Sequence, residues 1–217
     1  MTPTHQFSNE SAVPSKVSIL VRLAPSFSYV IAMLGAAVSA IFLTRVIEAM
    51  RNAESAGIAA VARGMAAADL AIIIALCLAV FVGFIGIVVI VIRAFMSTTT
   101  AAPSGWFFLL TGGLSLVPLL LLWKAQSILV EVLMGGNVSL AASTIQLCLT
   151  LTLVTSAAFA LIILVASLVP LPSILRSKRT YAPIMVLVLM ELALIGIAVA
   201  FQMRASWLYQ VGIKQRF

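Results

Sequence analysis

The residues of this chain that could carry chemistry are a few polar side chains set inside long apolar stretches. Glu191 is the clearest of them, because it lies deep within MVLVLMELALIGIAVAF. A carboxyl group in hydrocarbon is costly, so it must be neutral, be paired or face water. We therefore expect Glu191 to carry a proton or an ion pair, or else to be a structural partner for a polar group on a neighbouring helix or subunit.

Lys124 and Glu131 form a second candidate pair in LLLLWKAQSILVEVL. They lie about two helical turns apart on one face, which is too far for direct contact. They are candidates for an ion path, but this end of the helix can also lie at the membrane interface. In that interpretation, which we favour, Lys124 extends to the headgroups and Trp106 and Trp123 belong to the aromatic belt.

The stretch from Leu140 to Val169 carries polar residues on two nearly opposite helical faces. The first face holds Ser139, Ser143, Gln146 and Thr150, and the second holds Thr144, Cys148, Thr152 and Thr155. Gln146 and Thr150 are therefore candidates for the lining of a hydrated path. Alternatively, such hydroxyl groups bond to a neighbouring helix or to the carbonyl four residues earlier in their own helix.

The usual signatures of enzymes and metal sites do not occur. His5 is the only histidine, and the chain contains no Walker loop, GxSxG or HExxH motif. Cys77 and Cys148 both fall within apolar runs, where a buried thiol is more common than a disulfide or a metal ligand. We therefore expect a non-enzymatic protein with neither metal nor other cofactor.

Long apolar helices must position these residues. Hydrophobic residues make up 63% of the 217 residues and charged residues only 9%, which is too few to cover a water-soluble fold. Most basic residues flank apolar runs, a pattern typical of membrane topology rather than of nucleic-acid binding. The predicted fold is an all-α polytopic bundle with five spans: Pro25–Thr44, Leu70–Ile92, Trp106–Leu129, Leu140–Val169 and Ala182–Met203.

The spans suggest two similar hairpins followed by one helix. The predicted segments are a polar N-terminal segment (1–24), a first hairpin (25–96), a loop (97–105), a second hairpin (106–175), and a fifth helix with its tail (176–217). Gly35, Gly112 and Gly113 are predicted to allow close helix packing. Pro118 is predicted to kink the third span.

The first hairpin resembles the pore hairpin of the MotA/TolQ/ExbB proton-channel family. The matching features are Ala24-Pro25 before a glycine-containing helix, Arg45, Ala49-Met50, and Gly64-Met65-Ala66 at the start of the next helix. The resemblance covers about a third of the chain and implies an oligomeric, proton-conducting assembly. Ala67 stands where the family has a glutamate, and Asp69 follows two residues later as a candidate for the ion path. A weaker resemblance links RNAESAG and LMELALIGIAVA to the proteolipids of rotary ATPases.

Together these features predict an integral subunit of an oligomeric complex in a bacterial inner membrane, channel-like for protons. Its expected partners are the lipid bilayer and other membrane subunits or copies of itself, but not nucleic acid. One alternative is a small secondary transporter with a midplane site formed by Pro118, Lys124, Gln146 and Glu191. Another is a structural subunit around a redox or pigment complex.

Overall fold

The computed structural model describes residues 16–52, 57–96, 105–134, 138–168 and 181–214, and these form five long helices. The helices are α1 (Lys16–Asn52), α2 (Ile58–Met96), α3 (Gly105–Leu133), α4 (Val138–Leu168) and α5 (Tyr181–Lys214). The described part of the chain contains no strand. The predicted all-α bundle of five spans is confirmed.

Each of the five helices is long and apolar enough to cross a membrane. The candidate spans are Ala24–Arg51, Ile58–Ile92, Gly105–Leu133, Ala141–Ala166 and Ala182–Val211. Large apolar side chains face outward along these helices, including Leu70, Ile74, Phe81 and Phe84 on α2. The chain is therefore a multi-pass membrane protein, and its outer surface suits contact with lipid.

Two helices extend beyond the predicted membrane spans. The first span was predicted to begin at Pro25, whereas α1 begins at Lys16 and continues through this proline. The second membrane span was predicted as Leu70–Ile92, with Arg45–Asp69 forming helical extensions of both spans because of its alternating charges and high helix propensity. These extensions are confirmed: α1 ends at Asn52 and α2 begins at Ile58, so Asp69 lies within α2. Membrane helices tolerate internal proline and polar residues when neighbouring helices satisfy the groups involved. Most of the predicted N-terminal segment (1–24) and of the 97–105 loop lies outside the described residues.

Helix α1 is the centre of the bundle, because it packs on α2, α3 and α4. Helix α5 closes the other side by packing on α2 and α3. Gly86 of α2 lies against Pro25, and Gly64 near the start of α2 lies against Val46 near the end of α1, so these helices are antiparallel. With short connections between successive helices, α1, α3 and α5 run in one direction and α2 and α4 in the other.

Gly35 sets the separation of α1 and α2. A side-chain carbon at Gly35 would overlap the methyl group of Ala75, whereas Gly113 of α3 has open space around it. We expect Gly35→Val to lower the free energy of unfolding by about 1–3 kcal/mol through overpacking. Gly113→Val, the matched control, is expected to change it by less than about 0.5 kcal/mol. Titration with dodecyl sulfate, followed by circular dichroism, measures both; equal losses would contradict this packing.

Candidate functional site

Glu191 lies in the first third of α5 and faces the interior of the bundle rather than lipid. Its side chain is 5% exposed. The Ser28 hydroxyl of α1 donates a hydrogen bond of 3.1 Å to Oε1 of Glu191. The carboxyl group therefore joins α5 to α1 within the membrane-spanning part of both helices.

Gly83 of α2 makes room for this carboxyl group. A side-chain carbon added at Gly83 would overlap both oxygens and the carboxyl carbon of Glu191. Because Gly83 has no side chain, the carboxyl group packs directly against the backbone of α2. Sequence reasoning missed Gly83, since one glycine in an apolar helix does not reveal which neighbour approaches it.

Tyr29 is the second polar group at this site. Its side chain is fully buried, and it follows Ser28, whose hydroxyl bonds Glu191. Neither the Tyr29 hydroxyl nor Oε2 of Glu191 has a hydrogen-bond partner among the described residues. We call Ser28, Tyr29, Gly83 and Glu191 the Glu191 site. In this site Oε1 of Glu191 accepts a hydrogen bond, and Oε2 has no partner among the described residues.

Asp69 belongs to a second buried site. Its side chain is fully buried, and Nε2 of Gln126 on α3 donates a hydrogen bond to its Oδ1. The same amide accepts, through Oε1, a hydrogen bond of 3.1 Å from Nη1 of Arg204 on α5. Gln126 thus bridges a carboxyl group and a guanidinium group, and the Asp69 site, formed by these three residues, joins α2, α3 and α5.

Arg204 is held in place by α3. Its Nη2 donates a hydrogen bond of 3.0 Å to the Ser127 hydroxyl, and its guanidinium group lies 4.1 Å from the ring centroid of Trp123. This is the geometry of a cation–π contact. Trp123 in turn packs edge-on against Phe201, with ring centroids 5.2 Å apart. Arg204 is therefore oriented toward the Asp69 site, and Oδ2 of Asp69 has no hydrogen-bond partner among the described residues.

The two sites lie at different depths in the bundle. Asp69 and Gly83 are about four turns apart on α2, which corresponds to about 20 Å at ~5.4 Å per turn. On α2 and α5 the side chains buried between these levels are apolar, whereas α3 and α4 also bury Ser115 and Thr152, each of which donates a hydrogen bond to a backbone oxygen of its own helix. The apolar side chains on α2 and α5 include Ile72, Leu76, Leu194 and Phe201, each at most 1% exposed. We call these four residues the apolar layer, and it separates the two carboxyl groups.

The other predicted site residues lie outside these sites. Lys124, Glu131, Gln146 and Thr150 are exposed on the surface of the bundle, whereas Pro118 is buried in a continuous α3. The Thr150 hydroxyl donates to the backbone oxygen of Gln146 at 2.9 Å, the alternative foreseen for such residues. The structure thus brings Asp69 and Glu191 into buried polar sites but does not gather Lys124, Gln146 and Glu191 around one centre.

Ser28, Tyr29, Gln126 and Arg204 were not among the predicted site residues. Gln126 carried a usable signal, because an amide within an apolar span needs a partner. Arg204 follows the predicted end of the fifth span, a position that suggested an interfacial charge rather than a buried partner. Ser28 and Tyr29 lay in a short polar patch that sequence alone does not link to α5.

Two small-residue positions also contact other helices near these sites. Gly112 of α3 faces Met190, which precedes Glu191, and Gly105 faces Pro183 at the start of α5. Because these two contacts follow the same order along both helices, α3 and α5 run parallel. Within the described residues, no three histidine, cysteine, aspartate or glutamate side chains are grouped as a metal site would require. Cys77 and Cys148 are free thiols; Cys148 is buried as expected, whereas Cys77 is exposed on the outer surface of α2, so its predicted burial is wrong.

The fold and its buried sites define the class of this protein: a multi-pass helical membrane protein with two carboxyl groups inside the bundle. No protein-family model matches the chain, and the comparisons with curated proteins and with solved structures found no match either. The functional argument therefore depends on the geometry of the two sites.

Proposed function

We propose that this chain is a non-enzymatic integral subunit of an oligomeric complex in a bacterial inner membrane, and that it conducts protons in a channel-like manner. The observation that carries the proposal is the pair of buried carboxyl groups, Asp69 and Glu191, each with one oxygen free of hydrogen bonds within the described chain. Ionisable groups inside membrane bundles are costly, and they typically mark proton relays or ion pathways.

The surroundings of Glu191 favour proton exchange over a purely structural role. A structural carboxyl group is expected to use both of its oxygens in hydrogen bonds, because an unpaired buried polar atom is destabilising. Here Ser28 bonds one oxygen, while the other oxygen and the hydroxyl of Tyr29, the residue next to Ser28, both lack a hydrogen-bond partner among the described residues. Such a group can accept or release a proton without breaking the contact that orients it.

The proposal of an oligomer is supported by the outer surface of α4. Gln146 and Thr150 face outward within the Ala141–Ala166 span, whereas the outward face of α2 consists mainly of large apolar side chains. An amide group in hydrocarbon is stabilised by a hydrogen-bond partner, which another subunit can supply. The resemblance of the first hairpin to the MotA/TolQ/ExbB family, whose members are oligomeric proton channels, agrees with this proposal.

The secondary-transporter alternative has less support. It places Lys124, Gln146 and Glu191 around one midplane site, but Lys124 and Gln146 are exposed, while Glu191 is buried beside Ser28 and Gly83. A proton path requires only the buried carboxyl groups. We therefore propose proton conduction rather than the uptake of a larger solute.

Substitution of Glu191 tests the proposal directly. The full-length chain, purified in mild detergent, would be weighed by native mass spectrometry and reconstituted into liposomes containing a pH-sensitive dye. A potassium diffusion potential set by valinomycin then drives proton entry. We expect wild-type liposomes to acidify at least tenfold faster than empty ones, and Glu191→Gln to remove most of that difference, because an amide cannot release a proton.

Lys124→Gln is the matched control, since it removes an exposed charge that the proposal does not use. It is expected to retain the wild-type rate and the wild-type oligomer. Wild-type liposomes that acidify no faster than empty ones would overturn proton conduction, and so would a Glu191→Gln variant with the wild-type rate. A monomer in native mass spectrometry would overturn the oligomeric subunit.

A further inference from the structure

Four buried oxygen atoms have no hydrogen-bond partner within the described chain and lie in the half of the bundle that contains Glu191. They are Oε2 of Glu191, the Tyr29 hydroxyl, and the hydroxyls of Ser26 and Ser156. All four side chains are at most 5% exposed. Buried polar atoms without protein partners are typically satisfied by ordered water or an ion, so this group needs an explanation.

The four atoms lie at one level of the bundle. Ser26 and Tyr29 are three residues apart, so they share one face of α1, and Tyr29 follows Ser28, which bonds Glu191. Counted in residues from the connection between α3 and α4, Ser156 lies nearly as far along its helix as Gly112, which faces Met190 beside Glu191. At a rise of ~1.5 Å per residue, Ser156 therefore lies within about one turn of the Glu191 level.

The chemistry of this group suits water. Three of the four members are hydroxyls, which both donate and accept hydrogen bonds, and the fourth is a carboxyl oxygen. A buried water molecule typically makes about three hydrogen bonds to polar groups that otherwise lack partners. Within the described residues, Glu191 is the one carboxyl group at this level, too little negative charge for a divalent metal site.

One further hydrogen-bond acceptor lies nearer the end of the bundle where α1 begins. Pro25 lies inside α1 and has no N–H group, so the carbonyl of Val21, one turn earlier, lacks its usual helical donor. This acceptor lies between Ser26 and the start of the helix. Toward the other end, the apolar layer contributes no polar side chain.

We propose that water enters the bundle from the end where α1 begins and fills a half-channel that runs past Ser26, Tyr29 and Ser156 to Glu191. The half-channel ends at the apolar layer, so in this conformation Glu191 exchanges protons with one face of the membrane only. Asp69 lies beyond the layer, nearer the opposite face. The role of the water in proton access rests on the proposed function, but its presence does not.

Cysteine labelling provides a test with matched positions. Ser156 and Leu149 lie on the same helix, each 2% exposed, but Leu149 lies about two turns closer to the Asp69 level and has no unpartnered polar group of its own. Ser156→Cys and Leu149→Cys would be made in the full-length chain with Cys77 and Cys148 replaced by alanine. Proteoliposomes are then treated with a small, charged methanethiosulfonate reagent, and modification is followed by intact-mass spectrometry.

Thiolates react with this reagent only where water reaches them, so we expect Ser156→Cys to be modified at least tenfold faster than Leu149→Cys, and from one face of the membrane. Equal rates would overturn the half-channel. Radiolytic hydroxyl-radical footprinting of the wild-type protein gives a second readout that needs no variant. It should label Tyr29 several-fold faster than the equally buried Phe108, because radicals form from adjacent water; similar labelling of the two rings would also overturn the proposal.

The outcomes separate this proposal from the proposed function. Fast labelling of Ser156→Cys and Tyr29 in a protein without proton flux would support the hydrated half-channel and overturn proton conduction. Proton flux with slow, equal labelling at both cysteine positions would overturn the half-channel and leave proton conduction supported.

Discussion

Replacing Gly83 with valine is expected to abolish proton flux and to destabilise the bundle. The valine side chain would occupy the place of the Glu191 carboxyl group, which packs against the α2 backbone. Glu191 would have to move, and its hydrogen bond with Ser28 would break. We expect a loss of about 1–3 kcal/mol in the free energy of unfolding from overpacking, together with a proton flux close to that of empty liposomes.

Two further variants separate packing from proton transfer. Gly196→Val on α5 is the matched control, because Gly196 has open space around it and should retain both stability and flux. The double variant Gly83→Val/Glu191→Ala removes the overlap, so it should regain most of the lost stability without regaining flux. Proton flux at the wild-type rate in Gly83→Val would contradict the assignment of the Glu191 site.

Replacing Arg204 with leucine is expected to destabilise the protein by about 2–3 kcal/mol. Hydrogen bonds to charged groups typically contribute ~1.5–3 kcal/mol, and Arg204 donates to both Gln126 and Ser127. The substitution also removes the cation–π contact with Trp123 and the positive charge near Asp69. Unfolding in dodecyl sulfate, followed by circular dichroism, measures the change.

Arg45→Leu serves as the control, because Arg45 is exposed near the end of α1 and its loss should cost less than about 0.5 kcal/mol. A double-mutant cycle with Gln126→Leu isolates the bond between Arg204 and Gln126. Groups in direct contact show coupling energies of about 0.5–3 kcal/mol, and we expect a value within this range. Additive losses would show that the two side chains do not act together.

The sequence predicted the overall architecture because the bilayer imposes simple rules. Backbone groups in hydrocarbon must be bonded within the segment, so five apolar stretches of sufficient length predict five helices. An ionisable side chain in hydrocarbon is likewise unfavourable, and this identified Glu191 as a candidate site residue. Helix ends were less predictable: α1 extends back to Lys16 and α2 to Ile58, because hydropathy identifies only the part of a helix that lies in hydrocarbon.

The partners of the carboxyl groups were not predictable in the same way. Glu191 meets Ser28 across 163 positions of the chain, and Asp69 meets Gln126 across 57. A Leu/Ala/Val-rich helix with weak amphipathic character does not indicate which face turns inward. The spacing of residues along α4 likewise identified its two polar faces but not which of them is exposed.

The sequence by itself therefore determined that this protein lies in a membrane as five helices and that placing the Glu191 carboxyl group there is energetically unfavourable. Only the tertiary structure decided that Gly83 makes room for Glu191, that Gln126 joins Asp69 to Arg204, and that an apolar layer separates the two sites. The physical reason is that burial in lipid depends on local composition, which each segment carries in its own residues. Hydrogen-bond partners and close approaches depend on how the helices rotate and align against one another, which no single segment specifies.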